Sequence, residues 1–329
     1  MTPPPADQTT AARFDRDSTA LEVVAGVDLS GTVAVITGAS PGGIGAETAR
    51  ALALAGASIA IGVRDPGRTA GFAEELRSEY GGEVWVGALD LSDPASVADF
   101  ARAVAERFAR IGLLIGNAGV SKTPESHLPS GLDVRFATNH LGHFQLAHAL
   151  LPNLKAGEAR IVMLSSGAHK RRPIVLDDLQ WQRREHDALA AYGESKTANI
   201  LFAMEASRRW GGDGVFANAV LPGTIMTNLQ RYHSPELKRQ IGFFDAEGRP
   251  HPLIKTLEQG AATTVWGAVA PELAGRGGLV LEDCAVAGPA GPDTHVWSGA
   301  DTAVLREGDA EALWAQSEAI LERLGGTLA

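Results

Sequence analysis

The strongest constraint on the fold is the alternation of short apolar segments with longer helical ones along the chain. Runs rich in β-branched residues predict seven strands, at 33–37, 58–63, 84–89, 113–115, 160–164, 215–220 and 278–281. Helical patterns predict seven helices, at 45–55, 69–79, 94–108, 131–150, 193–208, 259–268 and 310–324. Because strands that alternate with helices form a parallel sheet covered on both faces, we expect an α/β fold with a doubly wound, mostly parallel sheet of seven strands.

No linker-like stretch divides this pattern, so we expect a single domain from 21 to 329. Residues 1–20 are polar and begin with a proline-rich run, which predicts a flexible tail or a strap over the surface. Two long stretches, 169–187 and 222–251, depart from the regular framework. Excursions of this length are often functional, and we expect these two to bind substrate.

Composition limits the classes of function. The net charge of -10 provides no overall field that would attract nucleic acid or an anionic membrane. Cys284 is the single cysteine, which excludes an internal disulfide and a zinc site made of cysteines and fits a reducing cytoplasm. No apolar run reaches the ~18 residues of a membrane span, and the first residues lack the pattern of a secretory signal. We therefore expect a cytoplasmic protein that binds neither nucleic acid nor a membrane.

A glycine-rich segment, Gly38-Ala39-Ser40-Pro41-Gly42-Gly43-Ile44-Gly45, joins the first predicted strand to the first predicted helix. Glycines allow the backbone to turn sharply and to approach a pyrophosphate, which binds at the helix N-terminus. A simple turn would also contain glycines, but this position in an α/β pattern favours a nucleotide site.

Tyr192 and Lys196 are four residues apart in a predicted helix, so their side chains share one face. An ammonium group beside a phenol favours the phenolate, and we expect Lys196 to lower the pKa of Tyr192. The pair alone is a weak signal, since an exposed lysine beside a half-buried tyrosine is common.

Many ordered motifs together make the chain, from about Phe14 to Leu324, resemble the short-chain dehydrogenase/reductase family, in its branch of retinol-dehydrogenase-like and WW-domain oxidoreductases. The motifs are Thr37-Gly38-Ala39-Ser40, Gly43-Ile44-Gly45, Arg64-Asp65, Asp90-Leu91-Ser92, Asn117-Ala118-Gly119, Asn139 to Phe144, Ser165-Ser166, Tyr192 to Lys196, Pro222-Gly223, Glu258 to Ala261 and Asp283-Cys284. The resemblance implies a three-layer Rossmann fold and hydride transfer between a nicotinamide cofactor and a carbonyl or alcohol.

The resemblance implies four catalytic residues. Ser166 would hydrogen-bond the substrate oxygen, with Ser165 as the alternative. Tyr192 would be the general acid in reduction and the base in oxidation. Lys196 would lower the pKa of the tyrosine and bind the nicotinamide ribose. Asn139 would help to hold a proton-relay water, unless it is a packing residue inside its helix.

The resemblance also implies a set of cofactor contacts. They are Gly38, Ser40, Gly42, Gly43, Ile44, Gly45, Arg64, Asp90, Leu91, Asn117, Ala118, Gly119, Tyr192, Lys196, Pro222, Gly223, Ile225 and Thr227. One departure concerns the glycine loop, which is one residue longer than the family's short form and contains Pro41, whose nitrogen has no hydrogen to donate. We expect the loop to bulge while the helix N-terminus is kept.

Arg64 indicates which cofactor is preferred. NAD-dependent folds place an acidic side chain after the second strand, where it accepts from the ribose 2′-OH. A guanidinium at that position suits a 2′-phosphate, and Arg68 would add to it. We therefore predict NADP(H), with NAD(H) still possible because Asp65 follows directly. His140, His143 and His148 are spaced along one helix, but no carboxylate or cysteine completes a metal site, and we expect no metal.

The sequence thus predicts an NADP(H)-dependent oxidoreductase that acts on a small, lipophilic carbonyl or alcohol and forms a homodimer. Two alternatives stay open, a regulator that binds NADP(H) without turnover and, more remotely, a nucleotide-sugar epimerase or dehydratase. The stretch 169–187 contains Lys170, Arg171, Arg172, Trp181, Arg183 and Arg184. These residues form either a solvated face or a site for a polar or anionic group.

Overall fold

The computed structural model describes residues 13–291, 293–301, 305–306 and 308–326. The strands in these ranges are β1 (Val33–Thr37), β2 (Ser58–Val63), β3 (Val84–Ala88), β4 (Leu113–Gly116), β5 (Arg160–Leu164), β6 (Phe216–Leu221), β7 (Thr224–Ile225), β8 (Ile254–Lys255), β9 (Val280–Glu282) and β10 (Ala285–Val286). The helices are α1 (Ala20–Val24), α2 (Ile44–Leu54), α3 (Ala70–Tyr80), α4 (Pro94–Arg107), α5 (Val134–Phe136), α6 (Gly142–Ala149), α7 (Leu151–Gly157), α8 (Ala188–Trp210), α9 (Pro235–Gln240), α10 (Leu257–Val269) and α11 (Asp309–Arg323).

The central sheet has the strand order β10-β9-β6-β5-β4-β1-β2-β3. All its neighbouring pairs are parallel except β10 with β9, and β7 pairs with β8 in a separate two-stranded sheet. The predicted α/β fold is confirmed, and each of the seven predicted strands is present. The sheet has eight strands rather than seven because Asp283 and Cys284, with φ of 50° and 56°, form a tight turn that adds β10.

Helices cover both faces of the sheet. One apolar core lies between the sheet and helices α4, α6, α8 and α11, and the other lies between the sheet and α1, α2, α3 and α10. Strands β1, β2, β4 and β5 are buried along almost their whole length, as expected for strands covered on both sides. Among the helices of the described ranges, none combines the length and the apolar character needed to cross a membrane.

The framework begins at α1, within the end of the predicted tail. The hydroxyl of Thr19 accepts from the N–H of Glu22, and the Glu22 carboxylate accepts from the N–H of Thr19, so this helix starts at a capping box. Its buried face packs against α10. Residues 1–12 of the predicted tail lie outside the described residues.

The order of the strands reverses between β1 and β4. From β1 the chain proceeds outward through β2 and β3, and it then returns to build β4, β5 and β6 on the other side. In open parallel sheets, ligands bind in the crevice at such a reversal, beyond the carboxyl ends of the strands. The glycine loop after β1 and Asn117 after β4 both lie at this edge.

Candidate active site

The end of β5 and the middle of α8 bring together Ser166, Tyr192 and Lys196. Ser166 lies close enough to Tyr192 to favour its phenolate, and both residues line a cavity of about 760 Å³. Lys196 lies one helical turn beyond Tyr192, with Nζ 5.7 Å from the centre of the phenol ring. Its Nζ donates to the carbonyl oxygen of Leu164, the last residue of β5, at 2.9 Å. The strand end and the helix therefore hold the three side chains at one edge of the cavity.

The two adjacent serines have different roles in the structure. The Ser165 hydroxyl is buried and donates to the Lys196 carbonyl oxygen at 2.8 Å, which ties β5 to α8. The Ser166 hydroxyl instead meets the phenol of Tyr192 and accepts from the N–H of Ala168 at 3.2 Å. Of the two, Ser166 is therefore the one placed to contact a substrate.

The pKa values at this site differ from the sequence-based expectation. Burial raises the pKa of Tyr192 above its ordinary value, while the hydrogen bond from Ser166 and the positive charge of Arg171 act in the opposite direction. The expectation that Lys196 gives Tyr192 a lowered pKa is therefore wrong for this structure, because burial outweighs the groups that favour the phenolate. Burial also lowers the pKa of Lys196, to about 7.

Asn139 lies in a π-helical segment, Ala137–Leu141, between α5 and α6. Its side-chain oxygen accepts from the N–H of Val120 at 2.8 Å, and its amide nitrogen donates to the Val120 carbonyl at 2.9 Å and to the Ser195 hydroxyl at 2.9 Å. The carbonyl oxygen of Asn139 accepts from Nδ1 of His143 at 3.0 Å. Asn139 thus fixes the loop after β4 against the helix that carries Tyr192 and Lys196.

The glycine loop forms a cradle in which side chains have no room. A Cβ on Gly45 would lie 2.4 Å from Nδ2 of Asn117, and one on Gly38 would lie 2.8 Å from the Cβ of Ala118. Gly38 and Gly42 also have positive φ, of 71° and 78°. No side chain caps α2, which starts at Ile44 as expected, so its first N–H groups are left for a ligand.

Asn117 and Thr37 join the glycine loop to the loop after β4. The Asn117 amide donates to the carbonyl oxygens of Thr37 and Gly38, at 2.7 and 3.2 Å. The Thr37 hydroxyl accepts from the N–H of Ala118 at 3.0 Å. Gly119 is close to Lys196, since an added Cβ would lie 3.4 Å from its Nζ. The predicted cofactor residues of these two loops therefore form one surface.

Arg64 lies beside this surface, because Gly62, two residues before it, contacts the glycine loop directly. The N–H of Gly38 donates to the Gly62 carbonyl at 2.7 Å, and Arg64 follows β2 with its side chain exposed. Within the described residues, the Arg64 guanidinium makes no hydrogen bond or ion pair.

Asp90 and Leu91 follow β3 in the sequence. Oδ1 of Asp90 accepts from the N–H and the hydroxyl of Ser92, at 2.9 and 2.6 Å. The Leu91 side chain is buried in the core, and its carbonyl is so close to Gly142 that a Cβ there would lie 2.1 Å away. Any cofactor contact of Leu91 would therefore involve its backbone.

The cavity has three walls, of which the sequence predicted two. Stretch 169–187 contributes Lys170 and Arg171, and stretch 222–251 contributes a mainly apolar set. This set is Pro222, Gly223, Thr224, Ile225, Thr227, Leu229, Gln230, His233, Leu237, Gln240, Ile241 and Phe243.

The third wall lies within 290–301 and was missed by the sequence reasoning. Trp297 packs against the rings of His251 and His295, with centroids 4.9 and 4.8 Å away. Nζ of Lys170 donates to the carbonyls of His295, at 2.9 Å, and of Ser298. The N–H of Asp301 donates to Nε2 of His169 at 3.1 Å. The only signal in the sequence was a tryptophan after a glycine- and proline-rich stretch.

The three histidines of the Asn139 region are structural. Nε2 of His140 is bonded to the Ser317 hydroxyl at 2.9 Å and Nε2 of His143 to the Thr37 hydroxyl at 2.8 Å, while His148 packs among aromatic rings. Burial lowers their pKa values, to about 3 for His140 and to about 4 for His143 and His148. In the described part of the chain, no three His, Cys, Asp or Glu side chains are grouped so that they could hold a metal ion.

The profile of the family described as short chain dehydrogenase matches residues 32–238, which include the glycine loop, Ser166, Tyr192 and Lys196. The chain belongs to the short-chain dehydrogenase family, and it is an enzyme of the oxidoreductase class.

Three relatives agree with this assignment. A "Probable oxidoreductase" of Streptomyces lividans is 47% identical over 78% of this chain and 86% of its own length. Retinol dehydrogenase 12 of Mus musculus is 42% identical over 78% and 79%, and the WW domain-containing oxidoreductase of Homo sapiens is 35% identical over 98% and 76%. The predicted branch of the family is confirmed by the names of the latter two.

Among solved structures, the Pseudomonas aeruginosa RhlG/NADP active-site complex is similar to this chain with a TM-score of 0.60 and 27% identity. The similarity covers 78% of this chain and 95% of that one.

Proposed function

We propose that the protein is an NADP(H)-dependent oxidoreductase that interconverts a carbonyl and an alcohol by hydride transfer. The observation that carries the proposal is the meeting of Ser166, Tyr192 and Lys196 at the edge of a cavity that is also bordered by Ile44 of the cofactor cradle. This places a proton donor, a second hydroxyl and an ammonium group beside the crevice where the family binds its nucleotide.

Tyr192 and Ser166 act on the reacting oxygen. In reduction, the Tyr192 hydroxyl gives its proton to the carbonyl oxygen, while the Ser166 hydroxyl donates a hydrogen bond to that oxygen and orients it. Because burial raises the pKa of Tyr192, the phenol stays protonated at neutral pH, which is the form a general acid needs. In oxidation the tyrosine must first lose its proton.

Lys196 and Asn139 support this pair. Lys196 would bind the nicotinamide ribose hydroxyls, since its Nζ donates to the Leu164 carbonyl and, in the charged form, has two further N–H groups. Asn139 is hydrogen-bonded to both Val120 and Ser195, and it thereby positions Lys196 beside Gly119. We therefore regard Asn139 as a positioning residue in the first instance.

The residues of the cradle fit a dinucleotide. Gly38 and Gly45 leave no room for a Cβ, and the uncapped start of α2 offers N–H groups to a pyrophosphate. Ser40, Asp90 and Ala118 would flank the adenosine side, and Pro222, Gly223, Ile225 and Thr227 the nicotinamide side. When bound, the nicotinamide supplies the hydride; the chain supplies position and the proton.

Arg64 supports NADP(H) over NAD(H). Its exposed guanidinium has no carboxylate partner in the described residues and lies next to the glycine loop, where a 2′-phosphate would be. The similarity to a solved complex with NADP agrees with this preference. The apolar wall of the cavity supports a substrate with a lipophilic part. A cytoplasmic location is proposed from the cysteine content and a homodimer from the resemblance, and size-exclusion chromatography tests the latter.

The central test is NADPH oxidation with a panel of aldehydes, ketones and diketones, using the wild-type enzyme and Tyr192→Phe. Loss of a general acid costs roughly 10²–10⁴-fold in rate, so the variant should bind NADPH normally and turn over at least about a hundredfold more slowly. Equal rates in the two proteins would contradict the proposal. NADPH binding without turnover of any compound by the wild type would favour the non-catalytic regulator.

The cofactor preference is tested with Arg64→Ala. Charge-assisted hydrogen bonds contribute about 1.5–3 kcal/mol, so the ratio of kcat/KM for NADPH over NADH should fall at least about tenfold. Arg77→Ala is a matched control, since its guanidinium contacts Glu74 and the Val84 carbonyl on the far side of α3. An NADH preference in the unmodified enzyme would refute the assignment.

A further inference from the structure

We propose that the substrate carries a negative charge at a distance from its reacting carbonyl, and that the guanidinium of Arg171 binds this charge at the rim of the active-site cavity. The inference rests on the carbonyl–alcohol chemistry proposed above, because it names the class of compound on which that chemistry acts.

Arg171 is next to the reacting groups. It lines the same cavity as Ser166 and Tyr192. The backbone of α8 is close, since a Cβ on Gly193 would lie 3.6 Å from the Cβ of Arg171. The positive charge of Arg171 also lowers the pKa of Tyr192, against the larger effect of burial. A group held by Arg171 would therefore be near a carbonyl that receives its proton from Tyr192.

Arg171 differs from Lys170 and Arg184, whose charged groups are engaged by other residues. Lys170 donates to the carbonyls of His295 and Ser298, and it thereby holds the third wall. Arg184 is bound between Asp178 and Glu194, at 3.0 and 2.8 Å. Arg171 is exposed and makes neither a hydrogen bond nor an ion pair with any residue that the structure describes. Its guanidinium is therefore the one in this stretch that faces the cavity and is available to a ligand.

The rim beyond Arg171 carries further basic side chains, although the protein has a net charge of -10. A second cavity, of about 620 Å³, shares Leu189 and Leu237 with the first and is lined by Lys122 and Arg172. The charges of Lys238 and Lys122 reach His233 on the first cavity and lower its pKa, after the larger effect of burial.

Acidic groups border the same cavities, but none of those that the structure describes forms an ion pair with Arg171. Asp187 and Glu185 lie on the second cavity, and the Asp187 carboxylate accepts from two backbone N–H groups at the start of α8. Asp301 lies on the first cavity, where it acts on Lys170. Arg171 on the first cavity and Arg172 and Lys122 on the second are cationic groups that suit a carboxylate or phosphate on the substrate.

The test uses pairs of aldehydes that differ only in charge, terephthalaldehydic acid with its methyl ester and succinic semialdehyde with its methyl ester. We expect the wild-type enzyme to prefer the acid in at least one pair. In Arg171→Gln the ratio of kcat/KM for acid over ester should fall about tenfold, a value discounted for the exposure of the side chain. Any effect of Arg171 on the pKa of Tyr192 acts on both members of a pair and cancels in the ratio.

Two variants complete the design. Arg183→Gln removes an exposed arginine of the same stretch that lies on neither cavity, and it should leave the ratio unchanged. Arg171→Lys keeps a positive charge and should restore part of the preference. An acid-to-ester ratio that is the same in the wild type and in Arg171→Gln would overturn the inference while leaving the reductase intact.

A binding measurement separates this inference from the proposed reaction. If no probe is turned over, the carbonyl chemistry fails for these compounds, and terephthalate is then added in the presence of NADPH. A rise in Tm for the wild type that is lost in Arg171→Gln supports the anion site, whereas no rise in the wild type overturns it.

Discussion

The two sides of the active site are built in different ways. The cofactor side consists of short loops at the ends of β1, β2 and β4, joined by hydrogen bonds such as those from Asn117 to Thr37 and Gly38, which span 80 and 79 residues. The substrate side consists of irregular stretches from distant parts of the chain. Its walls are held by contacts such as Lys170 with His295 and His169 with Asp301, which span 125 and 132 residues.

This difference predicts different responses to mutation. On the cofactor side, glycines occupy positions where an added atom would overlap its neighbours, so a single methyl group should be decisive. On the substrate side, exposed and partly buried side chains form the wall of a large cavity, so the loss of one should have a graded effect that depends on the substrate.

The largest effect is expected for Gly45→Val. Its Cβ would lie 2.4 Å from Nδ2 of Asn117 and 3.0 Å from the Cα of Ala39, and it would displace the amide that ties the two loops together. Overpacking costs about 1–3 kcal/mol and each lost hydrogen bond about 1 kcal/mol. NADPH affinity, measured by fluorescence titration, should fall by at least about a hundredfold. The control is Gly71→Ala, where nothing lies within 4 Å of the new Cβ. Equal NADPH affinities of the two variants would contradict the expected sensitivity of the cofactor side.

An effect of intermediate size is expected when the pH is lowered, because the buried histidines make the free energy of unfolding depend on pH. The pKa of His148 is lowered to about 4, so between about pH 6.5 and pH 4 the unfolded chain binds a proton that the folded chain does not. This contribution to the free energy of unfolding is fully present above the ordinary histidine pKa and is lost as the pH falls through that window. For His148 the loss should be roughly 2 kcal/mol near pH 4.5.

The variant His148→Phe checks this effect, because it keeps a ring among Phe144, Trp210 and Trp314 but removes the titrating group. Urea unfolding at several pH values should show a shallower pH dependence in this variant than in the wild type. The same dependence of the free energy of unfolding on pH in the two proteins would show that His148 does not make the predicted contribution.

The smallest effect is expected for Trp297→Ala in the third wall. The change removes the ring that packs on His251 and His295 and should lower kcat/KM for bulky aromatic aldehydes by about fivefold, as for a lost aromatic contact of about 1 kcal/mol. NADPH affinity and turnover of small aldehydes should not change. Val286→Ala, on β10 and outside the cavity, is the control; an equal loss for small and large aldehydes would mean that the wall supports the fold rather than the substrate.

Much of the framework was predictable from the sequence alone. Strands β1, β2 and β5 have the predicted bounds, and the seven predicted helical segments are all helical within a few residues or, at α8, extended. The sequence also predicted where three features lie. The glycine loop, the serines at the end of β5 and the pair Tyr192 and Lys196 are all found at one edge of the sheet. These features are encoded locally, by apolar periodicity, by positive φ at glycine and by spacing on a helix.

Only the tertiary structure decided the remaining points. It distinguished Ser166 from Ser165, because the Ser165 hydroxyl donates to the Lys196 carbonyl. It also raised the pKa of Tyr192 through burial, added a third wall to the cavity, and left Arg171 without the partners that Lys170 and Arg184 have. The physical reason is the same in each case: burial and hydrogen-bond partners depend on residues far away in the sequence, whereas secondary structure and glycine geometry depend on nearby ones.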